Sequence, residues 1–82
     1  MELLNVQVTK GGWTQVYDGT AAAVIAVSGC TGEVCQSTAT PDDALVGLPI
    51  DSMSVNRYIY NSTAGAPVYV KAYDDGLVIV NA

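Results

Sequence analysis

The residues of this sequence best equipped for chemistry are its two cysteines. Cys30 and Cys35 lie in VSGCTGEVCQS, residues 27–37, with four residues between them. Structural zinc needs four Cys or His ligands, and a chain with two cysteines and no histidine cannot build that site within one protomer. The spacing is not the two-residue gap of a redox pair, and no Lys, Arg or helix start stands nearby to lower a thiol pKa. Two readings stay open. The cysteines are reduced packing residues, or they form a disulfide across a hairpin that pairs Cys30 with Cys35. Cβ atoms directly opposed in a sheet sit about 4.5–5.5 Å apart against roughly 3.8 Å for a bridge, and so short a loop would contribute only about 2 kcal/mol.

Other inventories are thinner. Without histidine there is no ordinary general base for a Ser or Cys nucleophile, and nothing brings two carboxylates together in a cleft as glycoside hydrolysis requires. The chain is therefore expected not to be an enzyme, and to carry no catalytic residue, cofactor or metal. The acidic pairs Asp42-Asp43 and Asp74-Asp75 lack the spaced ligand ladder of a calcium loop and read as turn residues. Asn61-Ser62-Thr63 fits a glycosylation acceptor but reads as a turn. The aromatic residues Trp13, Tyr17, Tyr58, Tyr60, Tyr69 and Tyr73 either pack across strands or face a partner or a sugar.

The elements that position these residues are strands. Period-two strings separated by Gly, Asp, Asn, Ser or Pro clusters run through the sequence, and no window carries a clean helical apolar stripe. The expected strands are Leu3–Thr9, Trp13–Tyr17, Ala22–Ser28, Glu33–Ser37, Ser52–Tyr60, Pro67–Tyr73 and Leu77–Asn81. That spacing predicts one all-β domain over residues 1–82, an antiparallel β-sandwich or small jelly-roll-like barrel of about seven or eight strands. Asp75-Gly76 between alternating apolar residues predicts a tight hairpin over 67–81 with a primed turn. Asp18-Gly19 suggests another, and Lys10-Gly11-Gly12 a third turn. Residues 38–51 read as a long connection, with one helical turn at 41–44 and the crossover between sheets. Alternation puts Val68, Val70 and Ala72 on one face and Tyr69, Lys71 and Tyr73 on the other. The expected core is Val6, Val8, Val16, Val24, Ile25, Val27, Met53, Val55, Ile59, Val68, Val70, Leu77 and Ile79.

Composition bounds the function. Hydrophobic gain and ordering cost nearly cancel for a chain of this length, so a lone protomer should be marginal. Charged residues make up 13% of the sequence, about half the roughly 25% usual for soluble domains, and mean hydropathy is +0.31. Exposed apolar surface marks interaction sites, which predicts self-association or docking. Three bases against eight acids, a net charge of −5, disfavour nucleic acid as a partner. No basic amphipathic segment suits a membrane surface, and AAAVIAV at 21–27 is too short to span one. MELLNVQVTK has an acid where a signal peptide needs bases, so folding in a cytoplasm is expected.

On Trp13, Val16, Val24 to Gly29, Val68-Tyr69-Val70 and Leu77 to Val80, the sequence resembles small β-sandwich virion proteins of tailed bacteriophages. These share a Trp-containing first strand, an apolar strand ending near Ser-Gly, a Pro-containing connection, a VYVKA-like strand and a Val-rich finish. The resemblance implies a capsid decoration (cement) subunit on the outer head surface, a homo-oligomer and commonly a trimer, bound to the major capsid protein or another virion protein. A carbohydrate- or receptor-binding module of a head fibre or tail is the alternative. The cysteines are not part of that pattern. The segment Leu45 to Pro49 is unusually apolar, which adds Leu45, Val46 and Leu48 to the aromatic residues as candidate interface positions.

Overall fold

The β-branched alternation condenses into eight strands: β1 (Leu3–Val8), β2 (Thr14–Tyr17), β3 (Ala23–Ser28), β4 (Thr31–Gln36), β5 (Leu48–Asp51), β6 (Tyr60–Ser62), β7 (Val68–Ala72) and β8 (Gly76–Asn81). The computed structural model describes residues 3–51 and 59–82, and no helix occurs among them. β1 pairs with β8, β2 with β7, β3 with β6 and β4 with β5, all antiparallel. The chain is thus wrapped as if one long hairpin had been rolled up. Lateral pairing of β3 with β8 and of β4 with β7 completes two four-stranded sheets. Sheet A has the order β1-β8-β3-β6 and sheet B the order β2-β7-β4-β5. This is the jelly-roll arrangement of an antiparallel sandwich.

Between the sheets lie Val8, Ile25, Val34, Ile50, Val68, Val70, Val78 and Val80, each at most 2% exposed. Short branched side chains suit this narrow layer: they favour the extended backbone and interdigitate across sheets about 10 Å apart. β3 and β8, the two inner strands of sheet A, are apolar on both faces. Ala23, Ile25 and Val27 point inward, while Val24, Ala26 and Ser28 point out. In register with them, β8 turns Leu77, Ile79 and Asn81 outward, and β1 adds Leu3, Asn5 and Gln7.

Several sequence expectations are corrected. Residues 67–81 do not form a hairpin, because β7 belongs to sheet B and β8 to sheet A. The bend between them crosses the sandwich, and Tyr73 N–H donates to Thr31 O there at 2.9 Å. Gly76 is required by close approach rather than by a primed turn: a Cβ there would lie 2.7 Å from Cys30 Sγ. Asp18-Gly19 is likewise a crossing from sheet B to sheet A. β8 buries Val78 and Val80 instead of Leu77 and Ile79, and Val24 and Ile59 are exposed rather than core. Met53 and Val55 fall outside the described residues, as does most of the expected strand 52–60.

The connection 38–51 is not the sheet crossover. β4 and β5 share sheet B, and the end of the connection is itself a strand. In place of a helical turn at 41–44 there is a single reverse turn, closed by Leu45 N–H donating to Asp42 O at 2.9 Å. Asn61-Ser62 lies in β6 and not in a turn; Ser62 Oγ is buried, accepting from Ala23 N–H at 3.1 Å.

Candidate docking surface

The site is built on the outer face of sheet B. Antiparallel register sets Glu33 of β4 beside Lys71 of β7. Both face away from the core, and both are used to hold the loop that leads into β5. Glu33 Oε1 accepts from Gly47 N–H at 2.8 Å, and Oε2 accepts from the Tyr73 hydroxyl. Lys71 Nζ donates to the carbonyls of Asp43 and Leu45, the latter at 2.9 Å. The same ammonium stands 4.9 Å from the Trp13 ring centroid, a cation–π distance. Trp13 Nε1–H donates to Asp42 O at 3.1 Å, and Asp42 Oδ1 accepts from Ala44 N–H at 2.9 Å. Residues 42–47 are therefore fastened by two charges, an indole and their own turn.

The electrostatics follow from those contacts. The Tyr73 hydroxyl, then the Gly47 amide and the Lys71 charge, hold the Glu33 carboxyl below the ordinary glutamate value against the upward push of burial. Tyr73 is shifted up, first by its bond to Glu33 and then by burial. A carboxylate that accepts such bonds is stabilised in its charged form, so the clamp is intact at neutral pH.

With its polar groups satisfied from beneath, the loop turns its apolar side chains outward. Val46 is 79% exposed, Leu48 58% and Leu45 45%. Together with Val34, Cys35 and Tyr60 they border an open groove of about 320 Å³. Of the sequence-derived interface candidates, the structure brings Leu45, Val46, Leu48 and Tyr60 together here. Trp13 and Tyr69 are buried, so they serve the protomer's interior and are withdrawn from any partner. Tyr17, half-buried against the core, has its hydroxyl 3.3 Å from Thr20 Oγ1. Tyr73 keeps half its surface but commits its hydroxyl to Glu33. Tyr58 lies outside the described residues.

Tyr60 is anchored by Gln36, whose role carries no signal in the sequence. Gln36 Nε2 donates to Thr63 O at 2.7 Å and Ala66 O at 3.0 Å, while Oε1 accepts from Tyr60 O–H at 2.9 Å and Thr63 N–H at 3.1 Å. Both donors and both acceptor positions of the amide are used, tying β4 of one sheet to β6 of the other. Glu33 and Gly47 are nearly as silent. Their only sequence signal is an acid at an outward position of a strand and a glycine before an apolar pair.

The cysteines do not face one another. Cys30 is buried at the crossing into β4, and Cys35 lies further along that strand on the opposite face. Both remain thiols, so the disulfide reading is set aside and the packing reading holds. Burial raises both thiol pKa values; Asp74 adds to the rise at Cys30, and Lys71 partly offsets it at Cys35. The acids serve turns: Asp75 Oδ1 accepts from Lys10 N–H at 2.8 Å. Among the described residues no group of three or more His, Cys, Asp or Glu is placed to hold a metal, and no helix is long and apolar enough to cross a membrane.

No protein-family model matches the chain, and no curated protein or solved structure is significantly similar to it. The fold and the site together define a small jelly-roll sandwich that presents an apolar loop on a charge-anchored base.

Proposed function

We propose that this chain is a structural subunit of a virion, a decoration protein that binds the outside of a tailed-phage head and bridges neighbouring major capsid protein subunits. The observation that carries the reading is the loop at 42–48. A loop serving only to cover Trp13 would turn polar side chains to water. This one is pinned by Glu33 and Lys71 and offers Leu45, Val46 and Leu48 to solvent. A preordered apolar projection loses little conformational freedom on docking, which favours affinity per unit area. The low charge of the chain and the wording of its strands, similar to phage virion proteins, support the same reading. The carbohydrate-binding alternative needs exposed aromatic rings for stacking, and burial of Trp13 and Tyr69 removes two of them.

The test is reconstitution. Particles purified from the source of this sequence carry the chain in many copies, lose it under mild chaotrope and burst at lower temperature without it. Added-back protein restores the bursting temperature, whereas Val46→Asp protein does not rebind. Particles that lack the chain, or undiminished rebinding of Val46→Asp, refute the proposal.

A further inference from the structure

The opposite side of the molecule has a different character. The outward residues of β1, β8 and β3 are aliphatic side chains, amides, one alanine and one serine, and β6 adds Asn61. None is charged, and none is buried. Every charged side chain among the described residues sits on a loop, at a strand end or on sheet B: Lys10, Asp18, Asp51, Asp74 and Asp75 flank the sandwich, and Glu33, Asp42, Asp43 and Lys71 form or carry the docked loop. In a chain of net charge −5, the described residues of this sheet face thus carry no charge.

We infer that this face of sheet A is where copies of the chain meet. Three observations select a second copy as the occupant. First, like molecules of net negative charge repel, and a charge-free face is the surface on which two of them can close without opposing like charges. Second, the polar groups on the face are mainly carboxamides, Asn5, Gln7, Asn61 and Asn81. A carboxamide both donates and accepts, so it can pair with its own symmetry mate, which a carboxylate or ammonium cannot. Third, the face is large enough to contribute a substantial share of an interface: four strands of up to six residues, about 4.8 Å apart with about 3.4 Å per residue, make a plane of roughly 400 Å². That is about half of the roughly 800 Å² per partner of a standard stable interface, and the β1 edge adds to it.

The edge of the same sheet agrees. Exposed strand edges invite pairing unless blunted by charge, proline, a bulge or shortness. β5 has Pro49 and Asp51, β2 has a register shift between Gln15 and Tyr17, and β6 spans only Tyr60–Ser62. β1 runs from Leu3 to Val8 with no such device, and its outer side pairs with no strand among the described residues. It borders the uncharged face and continues it.

The inference is independent of what the apolar loop binds, and its test separates the two. Sedimentation equilibrium of the purified chain gives a mass that is a multiple of 8.5 kDa. Two substitutions address the face. Ile79→Lys places a charge at its centre, between Asn5 and Ala26. Asn5→Asp adds a charge with almost no change of shape, and so leaves the fold intact by circular dichroism. Each weakens self-association at least about a hundredfold, since opposed like charges cost several kcal/mol. Val46→Asp, on the other side, leaves the mass unchanged. A wild-type chain that stays monomeric, or an oligomer indifferent to both Ile79→Lys and Asn5→Asp, overturns the inference.

Discussion

Glu33 offers the sharpest test of how the loop is held. It is 9% exposed and accepts two hydrogen bonds, from Gly47 N–H and Tyr73 O–H. A hydrogen bond to a charged group contributes about 1.5–3 kcal/mol; with Tyr73 partly solvated, the lower figure for each bond gives about 3 kcal/mol for Glu33→Ala. At about 4–8 °C per kcal/mol in a domain of this size, the thermal midpoint falls by roughly 12–24 °C. Glu33→Gln keeps one acceptor oxygen and should lose about half as much. Trp13 is the chain's one tryptophan and lies beneath the loop, so its emission reports loop release directly. The pH dependence has a definite sign. The Glu33 carboxyl is held below its ordinary value, so its contribution is present above the unfolded pKa, about 4.3 for glutamate, and is lost as pH falls through the lower folded value. Acidification therefore shifts Trp13 emission to the red only below the usual glutamate range. Glu33→Gln, which keeps one of the two bonds, shows at most a partial red shift at neutral pH and loses that transition. A Glu33→Ala protein within about 1 kcal/mol of the parent in urea melts, with unchanged emission, would refute the clamp.

Further outcomes follow from the same contacts. Gln36→Leu strips four hydrogen bonds from the junction of the two sheets and should cost about 2–3 kcal/mol, measured by urea unfolding. Gly76→Ala drives a methyl group against Cys30 and should cost about 1–3 kcal/mol; adding Cys30→Ala recovers part of that loss, and no recovery would contradict the packing. Because both thiols are raised by burial, iodoacetamide labelling at neutral pH is slow and quickens as pH rises, Cys30 reacting after Cys35; a reductant leaves the melting temperature unchanged. Val46→Asp, at a position 79% exposed, changes stability by no more than about 0.5 kcal/mol, so the loss of shell binding expected of it under the proposed function would read as a contact effect.

The all-β class and most strands are legible in the sequence because β-branched alternation is a local signal. What is not legible is which strand pairs with which. Asp75-Gly76 has every mark of a hairpin turn, yet the rolled topology sends β7 and β8 into different sheets, a decision made by the long-range pairings of β1 with β8 and β2 with β7. The phase of LVIV in β8 is hidden for a related reason: apolar residues occupy both faces, so alternation does not say which pair enters the core. β5 is hidden because Pro49 reads as a breaker, although an edge strand tolerates it. The apolar segment at 45–48 was visible as an anomaly. Its support was not, since Glu33 and Lys71 become neighbours only when β4 and β7 are placed side by side. The aromatic residues divided in the same way: composition marks them as candidates for a surface, and the docked loop decides that Trp13 is inside.

The most direct measurement is an electron-microscopic reconstruction of purified particles carrying this chain. The expected result is jelly-roll density on the outer head surface, residues 42–48 against the shell, and the uncharged face of sheet A turned toward a neighbouring copy. Density elsewhere on the particle, or the loop directed to solvent with sheet B free, contradicts it.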